Sequence, residues 1–248
     1  MASSATAGTG IVVGGSTAAP VKHTTQPIVT GTSVIAIKYK DGVMMAADTL
    51  GSYGGLARFT DLRRLKVVGK STLIGCSGEY SDFQYILSLL DELVEEDANV
   101  EDGRELTAEE VHNYLTRVMY NRRNKGNPLW NSIVVAGVED GVATLGTVDH
   151  IGTAYTEDFI VTGFGGHMAI PLIRESWKPD MSESDARALV EECMKILYYR
   201  DCRTINKITL AKITAEGGMV SEPFTLATKW DFQSFIKAKA GADTGGSW

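Results

Sequence analysis

Two apolar runs, Ser33–Tyr39 and Val43–Ala47, flank Lys40-Asp41-Gly42. Asp-Gly between alternating, β-branched stretches predicts a hairpin, because both residues tolerate positive φ. The same signal returns at Ser132–Val138, Asp140-Gly141 and Val142–Val148. Between the hairpins the period changes. Phe83, Ile86, Leu87, Leu90, Leu93 and Val94 recur at helical spacing and predict a core-facing stripe. Thr107-Ala-Glu-Glu110 forms a capping box, and Val111, Leu115, Val118 and Met119 supply the apolar face of the helix behind it. Arg122 and Arg123 at the far end suit its dipole. Ser182-Glu-Ser-Asp185 caps a third helix, with Leu189, Val190, Cys193, Met194 and Leu197 inward and Arg200-Asp201 at its end.

The remaining segments are shorter. Gly51-Ser-Tyr-Gly-Gly55 is expected as a glycine-rich loop. Lys66–Val68 and Thr72–Cys76 are expected as two strands across Gly69-Lys70-Ser71. Gly-Lys-Ser is not a phosphate loop here, since that motif needs glycine where Arg64 stands. Glu95–Glu105 reads as a solvated connection and Asn127–Asn131 as a loop carrying Trp130, while His112 is expected to face water. Short strands fall near Ala154–Tyr155 and Phe159–Val161, and Gly163-Phe164-Gly165-Gly166 turns tightly into a helix from about His167. Ile205–Ile213 and Met219–Val220 close the strand set. Hairpin, helix pair, hairpin, helix pair and strands make an α+β protein in which each half carries strands and the helices that cover them.

Composition narrows the function classes. The 248 residues are 44% hydrophobic and 22% charged, ordinary for a globular domain. Thirty-one acidic against 24 basic residues leave a net charge of −7, which argues against nucleic acid as the main partner. The three cysteines, Cys76, Cys193 and Cys202, sit in unrelated contexts and read as free thiols. No apolar run is long enough to span a bilayer. Residues 1–23 are rich in Ala, Ser, Thr and Gly, with no basic segment ahead of Ile11-Val12-Val13, so they read as a disordered tail or a propeptide.

A Gly31-Thr32 step opens the first hairpin strand and Asp48 closes the second. This arrangement resembles the N-terminal threonine hydrolases, specifically the proteasome beta-type subunits. Thr24–Ser33, Gly51-Ser-Tyr-Gly54, Tyr120-Asn-Arg-Arg123, Asn127-Pro-Leu-Trp-Asn131 and Leu197-Tyr-Tyr-Arg-Asp201 carry the similarity, which runs from about Thr24 to Phe232. Together they are similar to a non-catalytic branch of the family, placed at the seventh position of the beta ring. The resemblance implies a four-layer α-β-β-α sandwich of the N-terminal nucleophile hydrolase type. It also implies a propeptide over 1–23, cut between His23 and Thr24 by a neighbouring active subunit. One domain then spans 24–248, with a C-terminal tail from about 229.

The resemblance further implies which residues would carry the chemistry. Thr32 falls on the nucleophile, Asp48 and Asp201 on the two catalytic aspartates, and Gly78 on the oxyanion donor. A threonine hydroxyl needs a base, which in this family is its own α-amine with a pKa near ~8. Two positions depart from the active pattern. Arg64 stands where active members keep a lysine, and a guanidinium fork does not replace a compact ammonium. Phe164 stands where active members carry a serine, and it can neither give nor take a proton. The site is therefore expected to be vestigial, with Thr32 still held in peptide linkage. The alternative is an active threonine endopeptidase using Thr32.

The resemblance implies no cofactor and residence in cytoplasm and nucleus. It implies a structural role in ubiquitin-dependent protein degradation, with alpha and beta subunits as partners in a 28-subunit particle of four stacked seven-membered rings. Trp230, Phe232, Phe235 and Ile236 are candidate anchors on the opposite beta ring, since aromatics carry much interface energy, or they pack on the chain's own core. Truncation before Lys229 is expected to lower the yield of assembled particle while the subunit stays soluble. Unchanged assembly, measured by native gel or sedimentation, would remove the tail from the interface.

Overall fold

The computed structural model describes residues 25–231. The predicted cleavage point at His23 and Thr24, and the anchors Phe232, Phe235 and Ile236, lie outside the described residues. The fold is α+β in four layers. One sheet has eight strands: β1 (Val29–Gly31), β4 (Gly51–Tyr53), β5 (Leu56–Phe59), β6 (Leu65–Val68), β7 (Thr72–Glu79), β8 (Asn131–Glu139), β9 (Val142–Val148) and β10 (Ala154–Thr156). The other has five: β2 (Val34–Tyr39), β3 (Gly42–Asp48), β11 (Phe159–Val161), β12 (Ile208–Thr214) and β13 (Gly217–Val220). Helices α1 (Tyr80–Ala98) and α2 (Ala108–Asn124) cover the first sheet. Helices α3 (Gly165–Met168), α4 (Ile170–Ser176) and α5 (Glu183–Arg200) cover the second.

Three apolar layers separate these four. Phe83, Ile86, Leu90, Leu115 and Met119 meet Ile74, Ile133 and Val135 under the first helix pair. Val34, Met45, Leu73, Val134 and Ile213 fill the space between the sheets. Val190, Cys193 and Leu197 pack on Ile35, Ile37 and Leu210 under α5. Burial pushes the Cys193 thiol up to about 12, as an apolar layer should. Thr107 accepts from the Glu110 amide while Glu110 reaches back, so the predicted capping box is present. Ser182 caps α5 by accepting from the Asp185 amide at 3.2 Å.

The halves, however, do not follow chain order. The first hairpin, β2–β3, lies under α5 from the far end of the chain, while α1 and α2 cover the second hairpin, β8–β9. Helical periodicity marks a face that must be buried but not which sheet buries it. Three short strands were also hidden. Val29–Gly31 forms β1 ahead of the hairpin, and the expected loop at Gly51–Gly55 is instead the start of a β4–β5 hairpin. His112 does not face water. It is half-buried, with Nε2 3.1 Å from the Thr147 carbonyl on β9. Trp230 stands edge-on to Tyr198 and Tyr199 at centroid distances of 5.7 and 4.9 Å, and is still 56% exposed.

Leu115 has no exposed surface, so Leu115→Ala is expected to cost about 2–5 kcal/mol of stability in urea unfolding. Val142→Ala, at a position 67% exposed, should stay within about 0.5 kcal/mol of the wild type.

Candidate functional site

The chain changes sheets at Thr32. β1 belongs to the eight-stranded sheet and β2 to the five-stranded one, and only Thr32 and Ser33 lie between them. The half-buried Thr32 hydroxyl donates to Asp201 Oδ2 at 2.6 Å. Asp201 caps the end of α5, and its other oxygen accepts from the Arg203 amide at 2.9 Å. An expected nucleophile and an expected catalytic aspartate thus meet, although 169 residues separate them.

Asp48 and Arg64 form a second pair directly behind the crossing. Their side chains are 0% and 1% exposed. All five guanidinium N–H groups find an acceptor. Nε donates to the Asp48 carbonyl at 3.0 Å; Nη1 donates to the carbonyls of Thr32 at 3.0 Å and Cys76 at 3.2 Å. Nη2 donates to the Ser33 carbonyl at 3.1 Å and to the Asp48 carboxylate. The remaining Asp48 oxygen accepts from the amides of Leu50 and Ile205, each at 3.3 Å. Burial pushes the Asp48 carboxyl up, and the Arg64 charge and these amides pull against it. Gly31 is required beside them, because a Cβ there would lie 2.4 Å from Arg64 Cδ.

The remaining expected positions are divided. Gly78 pairs with Gly31 across β7 and β1, has φ +95°, and leaves no room for a side chain because a Cβ would meet the Trp130 carbonyl oxygen at 2.1 Å. With Thr32, Asn131, His150, Gly163 and Arg203 it lines an open cleft of about 320 Å3. Phe164 does not line that cleft. The residue is 37% exposed, and its ring stands edge-on to His167. The turn that holds Phe164 is tied to the crossing by another group, the Ser33 hydroxyl, which accepts from the Gly165 amide at 2.8 Å.

Glu79 is the residue that sequence reasoning passed over. It is 5% exposed, caps α1, and accepts from the amides of Ile28 and of Val29, the latter at 3.0 Å. A glutamate directly ahead of a helical stripe was the available signal. No group of His, Cys, Asp and Glu that could hold a metal occurs among the described residues, and no helix among them is long and apolar enough to cross a membrane.

The family model for proteasome subunits matches residues 28–213. The chain belongs to the proteasome subunit family. Proteasome subunit beta type-4 of Arabidopsis thaliana is 53% identical over 227 residues, 92% of each chain. Proteasome subunit beta type-4 of Xenopus laevis is 46% identical over 221 residues, covering 88% of this chain and 91% of its own. Proteasome subunit beta type-7 of Saccharomyces cerevisiae is 44% identical over 234 residues, covering 89% and 87%. The resemblance drawn from the Gly31-Thr32 step and the stretches around it is to this family.

In the intact chain the Thr32 nitrogen is in peptide linkage to Gly31 of the paired strand β1, and for as long as that bond stands it has no lone pair to offer as base. Arg64, with all its donors directed at four backbone carbonyls and one carboxylate, has none left for a substrate or a neighbouring amine. Arg64→Met should cost about 3–5 kcal/mol in urea unfolding, because it leaves Asp48 buried and unpaired. Asp48→Asn in the same chain should recover part of that loss. An equal effect of Asp48→Asn on the wild type and on Arg64→Met would show that the pair is not coupled.

Proposed function

We propose that this proteasome-family chain is a non-catalytic subunit of the core particle and contributes surface rather than chemistry. One observation carries the reading. Residues upstream of Thr32 are a strand inside the sheet, paired to β7 at Thr30–Glu79 and Gly31–Gly78 and to β4 at Val29–Tyr53 and Thr30–Ser52. Among the described residues β1 alone joins β7 to the β4–β5 hairpin. Release of an α-amine at Thr32 requires cutting the chain next to a strand that has neighbours on both sides. Arg64 and Phe164, where active members carry lysine and serine, support the same conclusion, as do the type-4 and type-7 designations of the relatives.

On this reading the partners are other alpha and beta proteasome subunits, arranged as a 28-subunit particle of stacked seven-membered rings, and the chain works in cytoplasm and nucleus. Its contribution to protein degradation is then to complete and hold a beta ring whose peptide bonds are cut elsewhere. The half-exposed Trp230 beside Tyr198 and Tyr199 is a surface such a role could use.

N-terminal sequencing of the chain from assembled particles is expected to find a start upstream of Ile28, with no label on Thr32 from a threonine-directed epoxyketone. A start at Thr32 with stoichiometric labelling would replace this reading with that of a threonine endopeptidase.

A further inference from the structure

The carboxylate of Glu79 is used from two directions. Oε1 accepts from the Ser81 hydroxyl at 2.9 Å and from the Ser81 amide at 3.5 Å, inside the first turn of α1. Oε2 accepts from the amide of Ile28 and, at 3.0 Å, from that of Val29. Its own backbone is fixed as well, with N–H donating to the Trp130 carbonyl at 2.9 Å and C=O accepting from Asn131 Nδ2 at 2.8 Å. No basic side chain pairs with Glu79 among the ion pairs of the described residues, so these amides and the positive end of α1 are what a nearly buried charge has to rest on.

Exposure along the extension changes at the same place. Thr25 to Ile28 are exposed, Val29 and Thr30 are half-buried, and Gly31 is buried. The Ile28 side chain is 51% exposed while its amide is held, so the clamp acts on backbone and not on an apolar contact. Proteases take chain that is exposed and locally open, and their rate on a folded protein follows the population of the open form. Tied amides at 28 and 29 withhold the stretch that a protease must extend across its site.

We infer that Glu79 is a clip that sets the limit of N-terminal trimming, confining cleavage to the chain upstream of Ile28 and keeping β1 in the sheet. This goes beyond the non-catalytic reading, which needs β1 paired in the sheet but does not say what limits trimming of the chain ahead of it. It also makes Glu79 a positioning residue, acting through the backbone of the extension and not on any substrate.

Native digestion of the full chain with proteinase K, read by intact mass and N-terminal sequencing, tests this. Wild-type product is expected to begin at or before Ile28. In Glu79→Gln, which keeps the shape and removes the charge, product beginning between 29 and 32 should form about tenfold faster. Ser81→Ala, which removes the hydroxyl contact to Oε1 and leaves the Ser81, Ile28 and Val29 amides on the carboxylate, should keep the wild-type limit. The clip is overturned if Glu79→Gln digests like the wild type, or if Ser81→Ala moves the limit equally, since a weakened α1 cap would then be the cause. Hydrogen exchange on the wild type needs no variant. The Ile28 and Val29 amides should exchange slowly, and rapid exchange overturns the clip. The two readings fail separately: Glu79→Gln product trimmed to Thr32 and then labelled by an epoxyketone would support the clip and overturn the non-catalytic function.

Discussion

A single guanidinium holds the two sheets together where the chain passes from one to the other. Arg64 reaches the carbonyls of Thr32 and Ser33 at the crossing, the carbonyl and carboxylate of Asp48 at the end of β3, and the carbonyl of Cys76 on β7. Those acceptors belong to both sheets and to the link between them. A planar fork with five donors can satisfy such a set, whereas an ammonium with three could not. Buried ion pairs contribute little net stability, yet losing one partner is costly, so this pair fixes the geometry of the crossing more than it strengthens the fold.

That geometry decides the chemistry. With Arg64 committed to the backbone, the chain on both sides of Gly31–Thr32 is built into structure: β1 lies between β7 and β4 on one side, and β2 enters the other sheet on the next. The Thr32 hydroxyl keeps its bond to Asp201, so the parts of a nucleophilic site stand within reach of one another. On the proposed reading, what is missing is a base with a free lone pair. The amine that would serve is tied into the peptide backbone by the same strand that completes the sheet.

The extension and the first helix share one carboxylate, and this joins two features that look unrelated in sequence. Glu79 ends β7, opens α1 and receives the Ile28 and Val29 amides. Ser33 does similar work on the other side of the crossing, binding the turn before α3. Both are polar, both are nearly buried, and both are satisfied by backbone groups far away in sequence. On the proposed non-catalytic reading, this polar lining maintains the shape of the crossing around Thr32.

Local physics determined much of this protein from sequence alone. Asp-Gly between alternating apolar runs is sufficient for β2–β3 and β8–β9, because turn geometry and strand period act over a few residues. The Thr107 and Ser182 caps and the stripes behind them are sufficient for α2 and α5 for the same reason. The Gly31-Thr32 step with Asp48 and Asp201 carried the family. Tertiary structure alone decided which helices cover which hairpin, since an apolar stripe fits either sheet and the choice depends on the whole chain closing. It alone made Val29–Gly31 a strand, because three residues have no period of their own and pair only where β7 and β4 leave a gap. It turned His112 inward to β9, set the Phe164 ring edge-on to His167, and gave Arg64 its five acceptors. Those outcomes depend on contacts between residues far apart in sequence, and such contacts leave no local pattern to read.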